Sequence, residues 1–473
     1  MTAEAAGPDA VPTAFPPGPK GRGLRHLRER LADDAGFLMR LHAAHGGFVS
    51  LDMAVMKLCV AFDPELIQQI LVTRRGSFEK GPAYKRSNTL STPTMLTGDG
   101  VEHRRRRKLA QPAFHRRALV GYAEQMIEEA AALQRDWADG KVVDVLAEMQ
   151  RVTLGIAAAA FFGRDAHVGT GVVKAALDGL FWGFKLTVLP FGRLLVKLPL
   201  PRNLRARRAF AALDAVIYRI IGKARDESAE RTDLISLLVR AKDEEDGHRP
   251  LDDLEVRDEA YIILMAGHET TATGLTWSFH HLGRNPAVRE RLEREVDAVL
   301  GGRTPRLEDV ERLPYTQAVL DEALRLCPPI YLLGRRATED CVIGDYLIPK
   351  GTVVQVCLLP AQHDAGHFPE PERFRPERWL EPAAAGRPKF AYFPFGGGDR
   401  ICIGGAFARM EMTLILASVV QRWRLEAVSR APVEIESGVT YAPRGGLPMR
   451  LVARDQASPR SPATRSPASD AMS

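Results

Sequence analysis

The 473-residue sequence predicts a mainly α fold with a minor β-sheet region. Three observations carry this expectation. A single long helical pattern runs from about Leu251 to Asn285. Strand signals are confined to three short zones far apart in the chain. An apolar, helix-forming run, Ala406 to about Trp423, follows a glycine-rich loop.

The elements can be justified in order. Residues 1–20 are rich in Ala, Pro and Gly and read as an extended lead-in. Phe48–Met53 and Lys57–Phe62 read as a hairpin. The long helix opens where Asp252 can cap and Glu255 sits three residues on, the spacing of a capping box. It stops at Asn285-Pro286, because proline disfavours α geometry in the residue before it. At ~1.5 Å per residue it spans roughly 45–50 Å. Its apolar middle, Tyr261–Leu275, should be buried. Another helix, about Tyr315 to Leu326, ends at Cys327-Pro328-Pro329. Cys341–Leu347 and Thr352–Leu359 read as a second hairpin, turning at Ile348-Pro349-Lys350-Gly351. Strand signals return near Arg424–Val428 and within Ser437–Val452. Residues 456–473, rich in Ser, Pro, Ala and Arg, read as a disordered tail.

Composition narrows the function. With 45% hydrophobic and 26% charged residues, disorder of the whole chain is excluded. The net charge of +6 is modest for this length and does not single out nucleic acid as a partner. Five cysteines without any C-x-x-C pair exclude a disulfide framework, a zinc ribbon and a thioredoxin-like site. Their odd number points to a reducing compartment. No run of ~20 apolar residues suggests a membrane span, and no secretory leader is visible. A cytoplasmic protein is expected.

The strongest chemical signal is Pro394-Phe395-Gly396-Gly397-Gly398-Asp399-Arg400-Ile401-Cys402-Ile403-Gly404-Gly405. Glycines let backbone approach a flat ligand closely. Cys402 precedes a helix start, where N–H groups and the helix dipole favour thiolate. A thiolate in a donor-rich loop suits an iron porphyrin. The bland alternative is a structural cysteine beside a glycine turn.

The string Phe395-Gly396-x-Gly398-x-Arg400-x-Cys402-x-Gly404 resembles the haem-binding loop of the cytochrome P-450 superfamily. The resemblance covers roughly residues 15–452. It implies the fold of that family, a long central helix over haem b with the cysteine loop before a C-terminal helix. It makes residues 21–455 one haem domain, although length alone suggests about three domains at ~150 residues each. It implies Cys402 as the axial ligand, Phe395 beside the sulfur, Gly404 in the loop and Arg400 at a haem propionate.

Further motifs follow in family order. Ala266-Gly267-His268-Glu269-Thr270-Thr271 lies inside the long helix. Thr and Gly there weaken regular helix bonding, and a buried acid is costly unless satisfied. By the resemblance, Thr270 donates toward dioxygen, Glu269 relays protons, and Ala266 leaves room above the iron. Glu322-Ala323-Leu324-Arg325 would join Arg373 of Pro371-Glu372-Arg373-Phe374 in a buried structural network. Glu102-His103-Arg104-Arg105-Arg106-Arg107-Lys108 suggests a helix with one buried side. His103 and Arg107 fall where many relatives place Trp and Arg at the propionates. Arg336, next to Arg335, matches another propionate arginine. The other basic residues of 104–108 could face an acidic electron donor.

The substrate pocket, by family position, should include Tyr84, Leu96, Phe181, Trp182, Ala266, Ile330, Tyr331, Leu332 and Tyr441. These suit a terpenoid, steroid, fatty acid or polyketide. Leu186–Pro201 reads as a channel lid in preference to a membrane contact. The implied activity is that of a monomeric haem-thiolate monooxygenase consuming O2. Its electrons would come from an external ferredoxin and an NAD(P)H-dependent reductase. A peroxide-driven peroxygenase and a haem-thiolate sensor or electron carrier are the alternatives.

Overall fold

The computed structural model describes residues 14–19, 23–53, 57–82, 84, 90–163, 170–187, 192–226, 233–241, 249–438 and 440–454. The expected tail, 456–473, and most of the lead-in lie outside the described residues.

The longer helices used below are α1 (Asp34–His45), α2 (Gly100–Ala110), α3 (Arg116–Leu133), α4 (Val145–Phe162) and α5 (Thr170–Thr187). They continue as α6 (Gly192–Lys197), α7 (Pro201–Asp226), α8 (Asp253–Arg284), α9 (Pro314–Leu326) and α10 (Gly405–Val420). The long helix α8 has 32 residues and opens with the anticipated capping box. Asp252 accepts from the Glu255 N–H at 2.9 Å, and Glu255 accepts from the Asp252 N–H at 3.0 Å. Each satisfies a donor that a helix start leaves free.

The main buried cluster surrounds α8. At Gly274 a Cβ would lie 3.2 Å from Met412 Sδ and 3.3 Å from Leu324 Cδ2, so α8 crosses α10 and α9 there with little slack. On the other side α4 is tied to α8. Thr153 Oγ1 donates to the His268 carbonyl at 3.1 Å. Among the described residues, α4 alone is long and apolar enough to cross a membrane, and 61% of it is buried inside the protein.

The first hairpin forms as expected, with β1 (Phe48–Asp52) antiparallel to β2 (Lys57–Ala61). The second does not. Strand β6 (Cys341–Ile343) turns at Gly344-Asp345 onto β7 (Tyr346–Ile348), and Gly344 takes a positive φ of 55°. Strand β8 (Val353–Cys357) runs instead parallel to β2 and antiparallel to β5 (Leu332–Ala337). With β3 (Phe78–Lys80) they form a sheet ordered β1-β2-β8-β5-β3, while β4 (Val142–Asp144) lies in a separate sheet. Strand β5 carries Gly334, Arg335 and Arg336, so its own sequence hides it.

Behind the cysteine loop, Glu322 on α9 is a hub. It accepts from Arg325 Nε at 3.0 Å and Nη2 at 2.9 Å, Arg378 Nε at 3.0 Å, Trp379 Nε1 at 2.9 Å and the Arg375 N–H at 3.0 Å. Arg325 and Arg378 are buried. Arg373, the expected third member, has a side chain 65% exposed and pairs with Glu370. Only its carbonyl touches the network. The tripeptide Pro-Glu-Arg recurs five residues on, at Pro376-Glu377-Arg378, and the second copy supplies the charge.

A buried pair broken on one side costs about 3–5 kcal/mol. Arg378→Leu should therefore cost about that much stability by urea unfolding, while Arg373→Leu stays within ~0.5 kcal/mol of the parent. Equal losses would return Arg373 to the network.

Candidate active site

The loop before α10 folds back on itself. The Cys402 N–H donates to the Phe395 carbonyl at 2.8 Å, and the Ile401 N–H to that of Gly398 at 3.1 Å. Gly398 has φ +68°, and a Cβ there would sit 2.0 Å from the Leu71 carbonyl oxygen. Only glycine fits. Phe395 packs beside Gly405, with the Arg409 guanidinium 5.2 Å from its ring centre.

Solvent reaches Cys402, although protein crowds it from most sides. Burial pushes its thiol up from the ordinary value, against smaller pulls from the Gly404 N–H and Arg107. The other four cysteines are buried among apolar neighbours.

Beside this loop lies a nest of positive charge. Arg400 donates to the Gly98 carbonyl at 2.8 Å and to Asp99 at 2.6 Å. Arg107 donates to the Ile401 carbonyl at 2.8 Å. His103 is buried, and burial with Arg400 and Arg107 lowers its pKa to about 4. Arg335 is buried and lowered to about 10 by desolvation, with Arg400 also repelling it. Lys80 is buried with its ammonium 3.9 Å from the Tyr84 ring centre. Its pKa falls well below the usual lysine range through burial, then through Arg335 and Arg400. Asp99 is the one carboxylate acting on both Lys80 and Arg335, and Arg400 Nη1 is buried without a partner among the described residues.

Two expectations change here. Arg336 bonds Glu79 at 2.6 Å and points away from the nest. Successive strand residues face opposite sides, so Arg335 takes the inner place. Likewise Arg105 and Arg106 are not free for a donor protein. Both are buried, and both bond Glu255. Arg104 alone of that run is exposed.

On α8, Ala266 is accessible midway along an otherwise largely buried helix. Thr270 Oγ1, one turn on, donates to the Ala266 carbonyl at 2.7 Å. Glu269 accepts from Gln150 Nε2 at 3.2 Å and from Thr440 Oγ1 at 3.4 Å. Burial raises its pKa, while these two bonds pull it down.

The pocket calls divide. Tyr84, Leu96, Phe181 and Ile330 are half-buried, as is Tyr441, whose ring approaches Trp277 and Tyr331. Tyr331 belongs instead to the core against α1, donating its hydroxyl to Asp34 at 2.7 Å. Leu332 packs against that same core, while Leu333 turns toward Gly396. Trp182 is drawn to α7, donating to Asn203 at 3.0 Å with Arg202 stacked on its ring at 4.0 Å.

A family model described as Cytochrome P450 matches residues 28–447. The chain belongs to the cytochrome P450 family. It is 39% identical over 389 residues to "Cyclooctatin synthase" of Streptomyces melanosporofaciens, covering 81% of this chain and 84% of that one. It is 33% identical over 415 residues to "Pentalenene oxygenase" of Streptomyces avermitilis, covering 87% and 91%. The crystal structure of the cytochrome P450DA heme domain superposes with a TM-score of 0.83 at 28% identity, covering 96% of this chain and all of that one. A retinoic acid-bound cyanobacterial CYP120A1 gives a TM-score of 0.80 at 26% identity, covering 93% of this chain and all of that one.

As a cytochrome P450 the protein carries haem with an axial cysteine thiolate and acts as a monooxygenase. The residues present fit that cofactor. Buried cations around one carboxylate suit two propionates, and the unpartnered Arg400 Nη1 has a donor to spare. Sequence reasoning missed Lys80, Asp99 and Gln150 as parts of the site, and placed Thr440 at the pocket without its bond to Glu269. Gln150 lies in the middle of α4, where no local signal marks it.

A hydrogen bond to a charged group contributes about 1.5–3 kcal/mol. Arg335→Leu should therefore speed haem transfer to an acceptor apoprotein at least ~10-fold, the equivalent of about 1.4 kcal/mol. Arg336→Leu should leave it unchanged. The reverse order would refute the assignment of Arg335 to the inner face.

Proposed function

We propose that this cytochrome P450 oxidises an apolar terpenoid, inserting one atom of O2 by hydroxylation or epoxidation. The other oxygen atom leaves as water, using two electrons and two protons. The observation that carries this reading is the accessible face of α8, where Ala266 adds no bulk and Thr270 stands beside the tethered acid Glu269. The relatives named above modify terpenoids, which supports that class among the apolar substrates.

Bound haem supplies the oxidising chemistry, with the thiolate favouring O–O cleavage. Cys402 would supply the thiolate that holds the haem iron. Arg107, Arg335, Arg400, His103 and Lys80 hold the propionate side. Thr270 Oγ1 exchanges its bond to the Ala266 carbonyl for one to the oxygen substrate. Glu269, made more basic by burial, is the group that relays a proton toward that hydroxyl. Gln150 and Thr440 keep the carboxyl in place. Electrons come from a separate ferredoxin and its reductase, with Arg104 available at the surface.

A peroxide-driven reaction would need neither the acid nor the alcohol, so the Thr270–Glu269 arrangement favours the reductive route. Turnover of terpene alcohols with NAD(P)H, ferredoxin and reductase, and not with peroxide alone, is expected. Thr270→Ala should keep electron consumption but lower product per NAD(P)H several-fold, and unchanged coupling would remove its role. Cys402→Ser should lose the red-shifted Soret band of the ferrous–CO complex. A retained band would sink the ligand assignment.

A further inference from the structure

We propose that Asp258 and Glu259 are positioning residues that hold the loop 92–99 as one wall of the substrate site, and so set affinity and product ratio. The inference rests on the function proposed above. Two adjacent acids near the start of a helix ordinarily face water. Here both side chains are fully buried. A buried carboxylate is costly unless donors satisfy it.

The loop supplies those donors. Asp258 accepts from the Thr92 N–H at 2.6 Å and its hydroxyl at 2.9 Å. Glu259 accepts from the Met95 N–H at 2.8 Å. An irregular segment has N–H groups that no ladder satisfies, so loop and helix complete each other. Cations on either side keep the acids in place. Arg257 pairs with Asp258 and also donates to Asp214 of α7 at 2.9 Å. Tyr261 donates to the same Asp214 at 3.1 Å. Arg106 of α2 donates to Glu259 at 3.2 Å. Neither acid can swing away without leaving an arginine short of its partner.

The loop is also braced within itself. The Thr94 N–H donates to Thr97 Oγ1 at 2.9 Å, and the Gly98 N–H to the Thr94 carbonyl at 2.6 Å. Thr94, Thr97 and Gly98 are buried, while Met95 and Leu96 between them keep some accessible surface. At the far end, the Gly98 carbonyl and Asp99 accept from Arg400 of the cysteine loop.

The anchor point decides what the loop borders. Glu259, Ile263, Ala266 and Thr270 follow one another at helical spacing and share one stripe of α8. At ~1.5 Å per residue, Glu259 precedes Ala266 by about 10 Å along the axis. The Met95 peptide is therefore tied to the same stripe that carries the accessible Ala266 and Thr270. Tied there at one end and to Arg400 at the other, the loop spans the side of the site, with Met95 and Leu96 in its middle.

Hydrogen exchange on the holoprotein without substrate tests the anchor. The Met95 amide should be protected in the unsubstituted protein and exchange roughly tenfold faster or more in Glu259→Ala. Glu259→Gln, which keeps an acceptor, should restore protection. Haem content and the ferrous–CO band should be unchanged in both variants. Farnesol and geranylgeraniol, as terpene alcohol probes, test the wall. Their dissociation constants, read from the Soret shift, should rise roughly fivefold in Glu259→Ala. The ratio of oxidised products should change as well, and Glu259→Gln should recover most of both. A role in stability alone would lower the melting temperature and leave the product ratio fixed. An unprotected Met95 amide in the unsubstituted protein, or equal affinity and product ratio in the alanine variant, overturns the inference. If neither alcohol shifts the Soret band or is oxidised by the unsubstituted enzyme, that counts against the proposed function, and the exchange result still decides the anchor.

Discussion

The site depends on one electrostatic constraint, an excess of buried cations. Buried Lys80 and Arg335 and half-buried Arg400 come from three separate segments, with His103 beside them, and Asp99 is a carboxylate acting on each cation. Each lowers the charge affinity of the next, as burial and mutual repulsion dictate. Such a cluster is stable only when an anion completes it. A ligand with two carboxylates does so, and organises the sheet, the loop before α2 and the cysteine loop around itself. Folding of this region and haem binding should be linked for that reason.

The side behind the cysteine loop solves the opposite problem. Glu322 receives five N–H donors and has no freedom left. Satisfied in this way, a buried charge fixes its neighbours instead of acting. Among the described residues, Glu269 on α8 has two weaker side-chain donors, at 3.2 and 3.4 Å. Burial therefore raises its pKa, and it retains the capacity to carry a proton. Glu322 and the half-buried Glu269 thus differ in how many donors surround them, which fits the contrasting uses proposed for them.

What the sequence made legible was local. The capping box of α8, the proline that ends it and the β1–β2 hairpin all rest on contacts within a few residues. The glycine-rich loop was legible for the same reason. The pairing of β8 with β2 and β5 was not, because it is fixed by segments about 300 and 20 residues away. The choice between Arg335 and Arg336 needed the register of β5, since one residue of slip exchanges the two faces. The choice between Arg373 and Arg378 needed to know which Pro-Glu-Arg tripeptide turns inward. Lys80 carried no mark at all, since a lysine before Gly-Pro is ordinarily solvated.

The basic run on α2 shows how a charge pattern misleads when read in one dimension. Glu102 to Lys108 reads as a cationic face for a partner. Arg105 and Arg106 are instead consumed by Glu255 at the start of α8, and Arg106 also bonds Glu102 and Glu259. His103 and Arg107, at other angles of the same helix, serve the cysteine loop. One short helix therefore joins the N-terminal turns of α8 to the cofactor site. Of the acids that anchor it, Glu259 also holds the 92–99 loop, together with its neighbour Asp258. The 92–99 loop, the Arg400 site and the central helix are thus joined by a continuous set of paired charges and hydrogen bonds.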